Sequence, residues 1–174
     1  KIYDKSFAII RKESDLSDFE NGEEKVVVRM IHASGMTNIT NQVYFSKNMV
    51  NIARIALQNG ANILCDTNMV KYGITNSRLP ANNKIICMLG NEQINNTAEK
   101  IKNTRTAAGV ELWKPYLSGA IVAIGNAPTA LFYLLDMLSD ENCPKPSAII
   151  GFPVGFVGAE ESLSLIHISE PTRL

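Results

Sequence analysis

Arg29 and His32 stand three residues apart, a spacing that on a helix puts guanidinium and imidazole on one face. An imidazole gives and takes a proton near neutrality. A neighbouring cation favours its neutral form, and a bound anion restores its hold on the proton. The pair therefore suits general acid–base chemistry on an anionic substrate. The same position, just before Gly35, also suits a structural histidine closing a helix end. Spacing alone leaves both readings open.

Two other segments carry an arginine among hydroxyls and amides: residues 75–80 (TNSRLP) and 103–106 (NTRT). Arginine meets a carboxylate bidentately, and a nearby threonine adds a further hydrogen bond. Singly, Arg78 and Arg105 read as solvated surface residues. Together with Arg29 they form a cation set able to meet a polyacid, with Thr75 and Thr104 beside them. Residues 120–135 (AIVAIGNAPTALFYLL) run from a buried strand through Gly125 and Asn126 into a helix with Pro128 in its first turn. Asn126 is the expected N-cap, and the helix start is an expected carboxylate or phosphate site. The alternative is a plain strand-to-helix turn. No G-x-G-x-x-G is present there, which argues against a dinucleotide. Residues 151–158 (GFPVGFVG) add glycines that permit close backbone approach to a ligand, or simply a tight loop.

These residues need elements to position them. Residues 62–66, 84–89, 120–125 and 147–151 are short, apolar and β-branched, bounded by turn residues, and read as buried strands. Between them lie helical patterns at 47–59, stopped by Gly60, and at 129–139, with a longer helical stretch at 95–113 ending near Pro115. Wholly apolar strands alternating with helices imply an α/β class: a three-layer α/β/α fold on a mainly parallel sheet, with its ligand crevice at the strand carboxyl ends. The first 35 residues differ. Residues 2–11 and 23–33 read as helices, giving an α-rich N-terminal part, with Val26, Val27, Met30 and Ile31 as the apolar stripe of the second.

Composition narrows the function classes. Lys+Arg and Asp+Glu both number 17, so no basic excess exists to hold a nucleic acid. Cys65, Cys87 and Cys143 form neither a CxxC nor a Cys/His cluster, which argues against a zinc site. Cys65 and Cys87 sit in apolar runs and read as small buried hydrophobes. No apolar run approaches bilayer length and no signal-peptide pattern is visible, so a cytoplasmic protein without a membrane partner is the expectation.

Read in order, SFAIIR (6–11), VRMIHASG (28–35), ILCDTNMVKYGIT (63–75), SRLP (77–80), NTRTAAGVELW (103–113), AIVAIGNAPTALF (120–132) and GFPVGFVGAEES (151–162) resemble the precorrin-8X methylmutase family, including its cobalt-precorrin-8 branch. The resemblance implies an isomerase of cobalamin biosynthesis that shifts a methyl group between adjacent macrocycle carbons, working as a cytoplasmic homodimer on a tetrapyrrole. It implies no cofactor and no metal ligand. The family's catalytic histidine falls on His32, and its substrate-contacting serine and arginine fall on Ser6 and Arg29. Thr75, Arg78, Thr104, Arg105 and Asn126 are expected to bind substrate, whose several carboxylates suit scattered arginines and hydroxyls better than one basic patch. The expected domain is residues 1–162, incomplete at both ends relative to the family. SLSLIHISEPTRL leaves the pattern and resembles a sequencing-adapter read-through, so 163–174 is expected to be a non-native tail. His32 is then the chain's only authentic histidine.

Two other classes compete. A methyltransferase or nucleotide-using enzyme would need a glycine-rich loop after its first strand; Asp66 ends a strand, but no such loop precedes it. A non-catalytic tetrapyrrole carrier would bind the macrocycle without converting it.

Overall fold

Helix α1 spans Ile2–Glu13 and α2 spans Asn21–Ser34 in the computed structural model, which describes residues 2–155 and 157–168. The start of α2 is fixed by the Glu23 carboxylate, which accepts the N–H of Glu20 at 3.1 Å. Its end is fixed by Gly35, whose φ of 72° lets its N–H return to the Ile31 carbonyl at 2.8 Å. Both helices extend slightly beyond the expected 2–11 and 23–33. The chain divides into two compact units, Lys1–Ile52 and Ala53–Leu174.

The first unit contains no strand among its described residues. Its core is Ile10 of α1 against Val27, Val28 and Ile31 of α2, with Phe7, Leu16, Phe19 and Phe45 packed around it. The buried stripe of α2 is thus turned by one residue from the expected one. Val26 and Met30 lie outside the core and Val28 lies inside it. Val26, Val27 and Val28 are equally apolar, so the pairing with α1, not the periodicity, decides which of them point inward. The Arg11 guanidinium joins the Glu24 carboxylate at 2.6 Å across the two helices. Helix α3, Met49–Gln58, crosses the boundary between the units and ends before Gly60 at φ 83°.

The second unit is built on four parallel strands: β1 Ile63–Cys65, β2 Ile85–Cys87, β3 Ile121–Ile124 and β4 Ala148–Gly151, ordered β2-β1-β3-β4. All four expected strands are present, and Leu64 lies in register with Ile86 and Val122. Side chains alternate across a sheet. One face, with Leu64, Ile86, Val122, Ile124 and Ile149, packs on Trp113, Leu131 and Leu134. Those last residues come from the chain after α6 (Arg105–Glu111) and from α7 (Pro128–Ser139). The other face, carrying Ile63 and Cys65, meets α4 (Asn68–Gly73), which contacts both β1 and β2. Cys65 is buried and Cys87 only half-buried. Burial first, then the charges of Cys87 and Asp66, push the Cys65 thiol up to about 12. It behaves as the small buried hydrophobe the sequence suggests.

The stretch 95–113 is not one helix. It forms α5 (Ile94–Ile101) and α6, separated by Lys102 in the left-handed region at φ 51°. Thr104 starts the second helix by accepting the Ala107 N–H at 3.2 Å. A capping threonine in an otherwise helical stretch restarts the chain in a new direction. A final helix, α8, spans Ala159–Ile168. Residues 169–174 of the expected tail lie outside the described residues.

The chain passes from β1 outward to β2, then returns to β3 on the other side of β1. Parallel α/β sheets open a crevice at such a reversal, at the strand carboxyl ends. Here that position is tight. A Cβ added at Gly125, just after β3, would stand 2.7 Å from Val70 Cγ2 on α4. Gly125→Ala should therefore cost about 1–3 kcal/mol of stability. Val70→Ala in the same chain should recover part of that loss in urea melts; no recovery would show that the contact is not the cause.

Candidate functional site

Three of the expected site residues meet in the first unit. Ser6 and His32 face each other across α1 and α2, with Ser6 Oγ at 2.8 Å from His32 Nδ1. Arg29 lies one turn before His32 on α2, and both side chains are exposed. The spacing of the three follows from helix geometry: 29 and 32 share a face of α2, and Ser6 lies on the α1 face turned toward it, as does buried Ile10 one turn on.

The hydrogen bond at Nδ1 leaves Nε2 as the ring nitrogen open to a ligand. A hydroxyl both donates and accepts. Ser6 can donate to a bare Nδ1 and accept from a protonated one, so it serves the imidazole in either state of charge. A carboxylate in its place would hold the proton on the ring. The arrangement is that of a histidine free to cycle a proton through Nε2.

Two aromatic rings that the motif reading passed over complete this group. The Tyr3 ring lies 5.3 Å from the imidazole at 54°, and the Phe7 ring lies 5.3 Å away at 86°. Phe7 also carries the Arg29 guanidinium over its face at 5.5 Å. Arg29 has no ion pair with an acidic side chain among the described residues. The signal for these rings was present in the sequence, since positions 3, 6, 7 and 10 share one face of a helix.

The remaining expected residues lie in the second unit. Thr104 Oγ1 stands 3.0 Å from Thr106 Oγ1 and 3.0 Å from Thr129 Oγ1, and the latter two are 3.1 Å apart. Three hydroxyls thus form a triangle joining the starts of α6 and α7. Beside them Arg105 donates to the Leu89 carbonyl at 3.1 Å. Thr106 and Thr129 were not expected. Thr75 and Arg78 are exposed, Thr75 just before and Arg78 at the end of the single 3-10 turn Asn76–Arg78. No hydrogen bond links Thr75 or Arg78 to the threonine triangle among the described residues.

The turn at Asn126 departs from expectation. Ala127, not Asn126, is the N-cap of α7, and no side chain caps it from that position. The N–H groups of the turn are met from the end of the neighbouring strand β1. Asp66, only 2% exposed, accepts the N–H of Gly125 at 3.2 Å, of Asn126 at 2.9 Å and of Ala127 at 2.8 Å. The N–H groups of the turn that leads into this helix are thus already bonded to the protein's own carboxylate. The Asn126 side chain remains half-buried at the turn. The glycine-rich loop closes beside it, with the Val154 N–H on the Asn126 carbonyl at 3.0 Å.

No group of three or more His, Cys, Asp or Glu residues suited to a metal ion occurs among the described residues. Fold and site together describe a parallel α/β protein with an exposed histidine held through Nδ1 by a hydroxyl and an arginine one turn before it. A family model described as precorrin-8X methylmutase matches residues 1–172. The precorrin-8X methylmutase of a Sinorhizobium species is 55% identical over 161 residues, covering 92% of this chain and 76% of that protein. That of Pseudomonas aeruginosa is 50% identical, covering 95% and 79%. The solved structure of the precorrin-8x methyl mutase from Thermus thermophilus superposes with a TM-score of 0.85 at 33% identity, covering 96% of this chain and 81% of that one. The chain belongs to the precorrin-8X methylmutase family.

Proposed function

We propose that this chain is the isomerase that shifts a methyl group between adjacent carbons of precorrin-8X to give hydrogenobyrinate, or of cobalt-precorrin-8 to give cobyrinate, with His32 supplying and recovering a proton. The observation that carries the role of His32 is the Ser6 Oγ–His32 Nδ1 contact at 2.8 Å. It fixes the ring while leaving Nε2 free. Substrate and product are isomers, so the protein needs to bind, orient and protonate. Protonating a ring position of the conjugated macrocycle eases the electron redistribution that accompanies the methyl shift, and the same nitrogen takes the proton back.

Arg29 is the carboxylate partner nearest His32. Thr75, Arg78, Thr104, Arg105 and Asn126 bind the other polar edges of the substrate, with Thr106 and Thr129 extending the Thr104 hydroxyl group. Hydrogen bonds to charged groups contribute about 1.5–3 kcal/mol. Arg29→Ala should therefore raise KM by roughly 10- to 100-fold with a smaller fall in kcat. An unchanged KM would remove Arg29 from the binding set.

The two compact units are parts of one methylmutase domain over residues 1–162, a reading supported by a family match that runs through both. We take the working form to be a cytoplasmic homodimer. Ile2, Tyr3 and Ile9 leave an apolar surface on α1, at 84%, 60% and 52% exposure, consistent with a second copy. Light scattering on the purified chain measures that directly.

The decisive experiment mixes the chain with metal-free precorrin-8X and, separately, with cobalt-precorrin-8. Isomerisation moves the absorbance spectrum to that of the product, and the faster of the two reactions identifies the native substrate. Binding without a spectral change would instead mark a tetrapyrrole carrier.

A further inference from the structure

We propose that Phe7 is a positioning residue that ties Arg29 to His32, so that a carboxylate caught by Arg29 is placed in register with the proton-carrying imidazole. The proposal rests on the acid–base reading of His32. Phe7 is half-buried and packs against Ile10, Val27, Val28 and Ile31, so its ring is held by the core of its own unit. That fixed ring has two polar neighbours. The guanidinium sits over its face at 5.5 Å, where the negative face of the ring attracts a cation. The imidazole meets it at 86° and 5.3 Å, the perpendicular geometry that aromatic pairs favour.

Arg29 and His32 each have rotatable bonds that would let them point elsewhere, and both are exposed. An exposed arginine without a carboxylate partner samples many rotamers, and ordering it on binding weakens the complex. The Phe7 face narrows that set before the substrate arrives, without cancelling the charge as an acidic partner would. Ser6, one residue earlier, holds the other side of the same imidazole through Nδ1. Adjacent residues of α1 thus fix His32 by two different forces, and only Phe7 reaches Arg29 as well.

The test is a double-mutant cycle on the methyl shift. Phe7→Leu keeps an apolar side chain but removes the ring. It should lower kcat/KM about tenfold, through both a higher KM and a lower kcat. Phe7→Tyr keeps the ring and should recover most of that loss. In an Arg29→Ala background the KM part of the Phe7→Leu effect should vanish, because its target is gone. The proposal is overturned if Phe7→Tyr loses as much as Phe7→Leu, or if the KM effect is unchanged without Arg29. A wild-type chain that binds hydrogenobyrinate but never isomerises overturns the catalytic reading alone. The same cycle is then read on product Kd, where non-additivity supports the tie and additivity removes it.

Discussion

His32→Ala slows the methyl shift by about 10²–10⁴-fold while leaving the affinity for the corrinoid product within a few-fold of wild type. The imidazole is exposed and contributes little to any core, so its removal leaves the α1–α2 pair folded. What is lost is the proton. General acid–base assistance is worth about 10²–10⁴-fold, or roughly 3–5 kcal/mol of barrier. On the proposed assignment Arg29 would still meet a substrate carboxylate, because the substitution does not touch it. Stopped-flow absorbance measures turnover, and equilibrium titration with hydrogenobyrinate measures binding. Ser6→Ala should fall between the two proteins, since the ring then keeps its nitrogen but loses the contact that orients it. Undiminished turnover by His32→Ala would end the role assigned to that residue.

Asp66→Ala unfolds at a much lower denaturant concentration, and phosphate restores part of the loss. Each buried donor left without a partner costs about 1–3 kcal/mol. Asp66 serves the N–H groups of Gly125, Asn126 and Ala127. A combined cost of roughly 3–9 kcal/mol follows from that range, which for a chain of this size lowers Tm by about 10 °C or more. The vacated turn leads into a helix start and presents three unpaired donors, which attract anions. Added phosphate should then raise the melting temperature of the variant by mass action, and leave the wild-type chain unaffected at that site. A variant as stable as wild type would show that water replaces the carboxylate at no cost.

Much of the second unit was readable from sequence for one reason. A parallel sheet covered on both faces demands continuous apolar strands, and NILCD, KIICML, AIVAIG and SAIIG satisfy that demand over short, sharply bounded runs. Gly35 and Gly60 marked helix ends because each takes a positive φ that other residues avoid. The break between α5 and α6 is less visible in sequence, because Lys102 is as tolerable in a helix as at its left-handed end, and only the capping Thr104 signals the restart.

The site was legible in part. Arg29 and His32 announced themselves by spacing, but their partner Ser6 lies 26 residues away from His32 and emerged only through the family's motifs. In sequence, Asp66 reads as a strand end and nothing more. Its partners at 125–127 are about 60 residues distant, and no local pattern signals a carboxylate that reaches from a neighbouring strand to the turn before a helix. In sequence, Thr129 reads as the first residue of a helix, whereas its hydroxyl closes a triangle with two threonines from another helix. Tertiary pairing, not periodicity, assigns these roles.

The carboxylate of Asp66 also has a meaning for the chain's life among other solutes. Nucleotides and free phosphate are among the abundant small anions a protein meets. A crevice at a sheet reversal, opening on a helix start, is the spot where such anions usually lodge. By seating its own side chain there, this protein makes that spot indifferent to the whole phosphate pool. Competition for the chain is left to molecules that arginines and hydroxyls recognise elsewhere. One substitution at position 66 would expose the three N–H groups of Gly125, Asn126 and Ala127 to such anions.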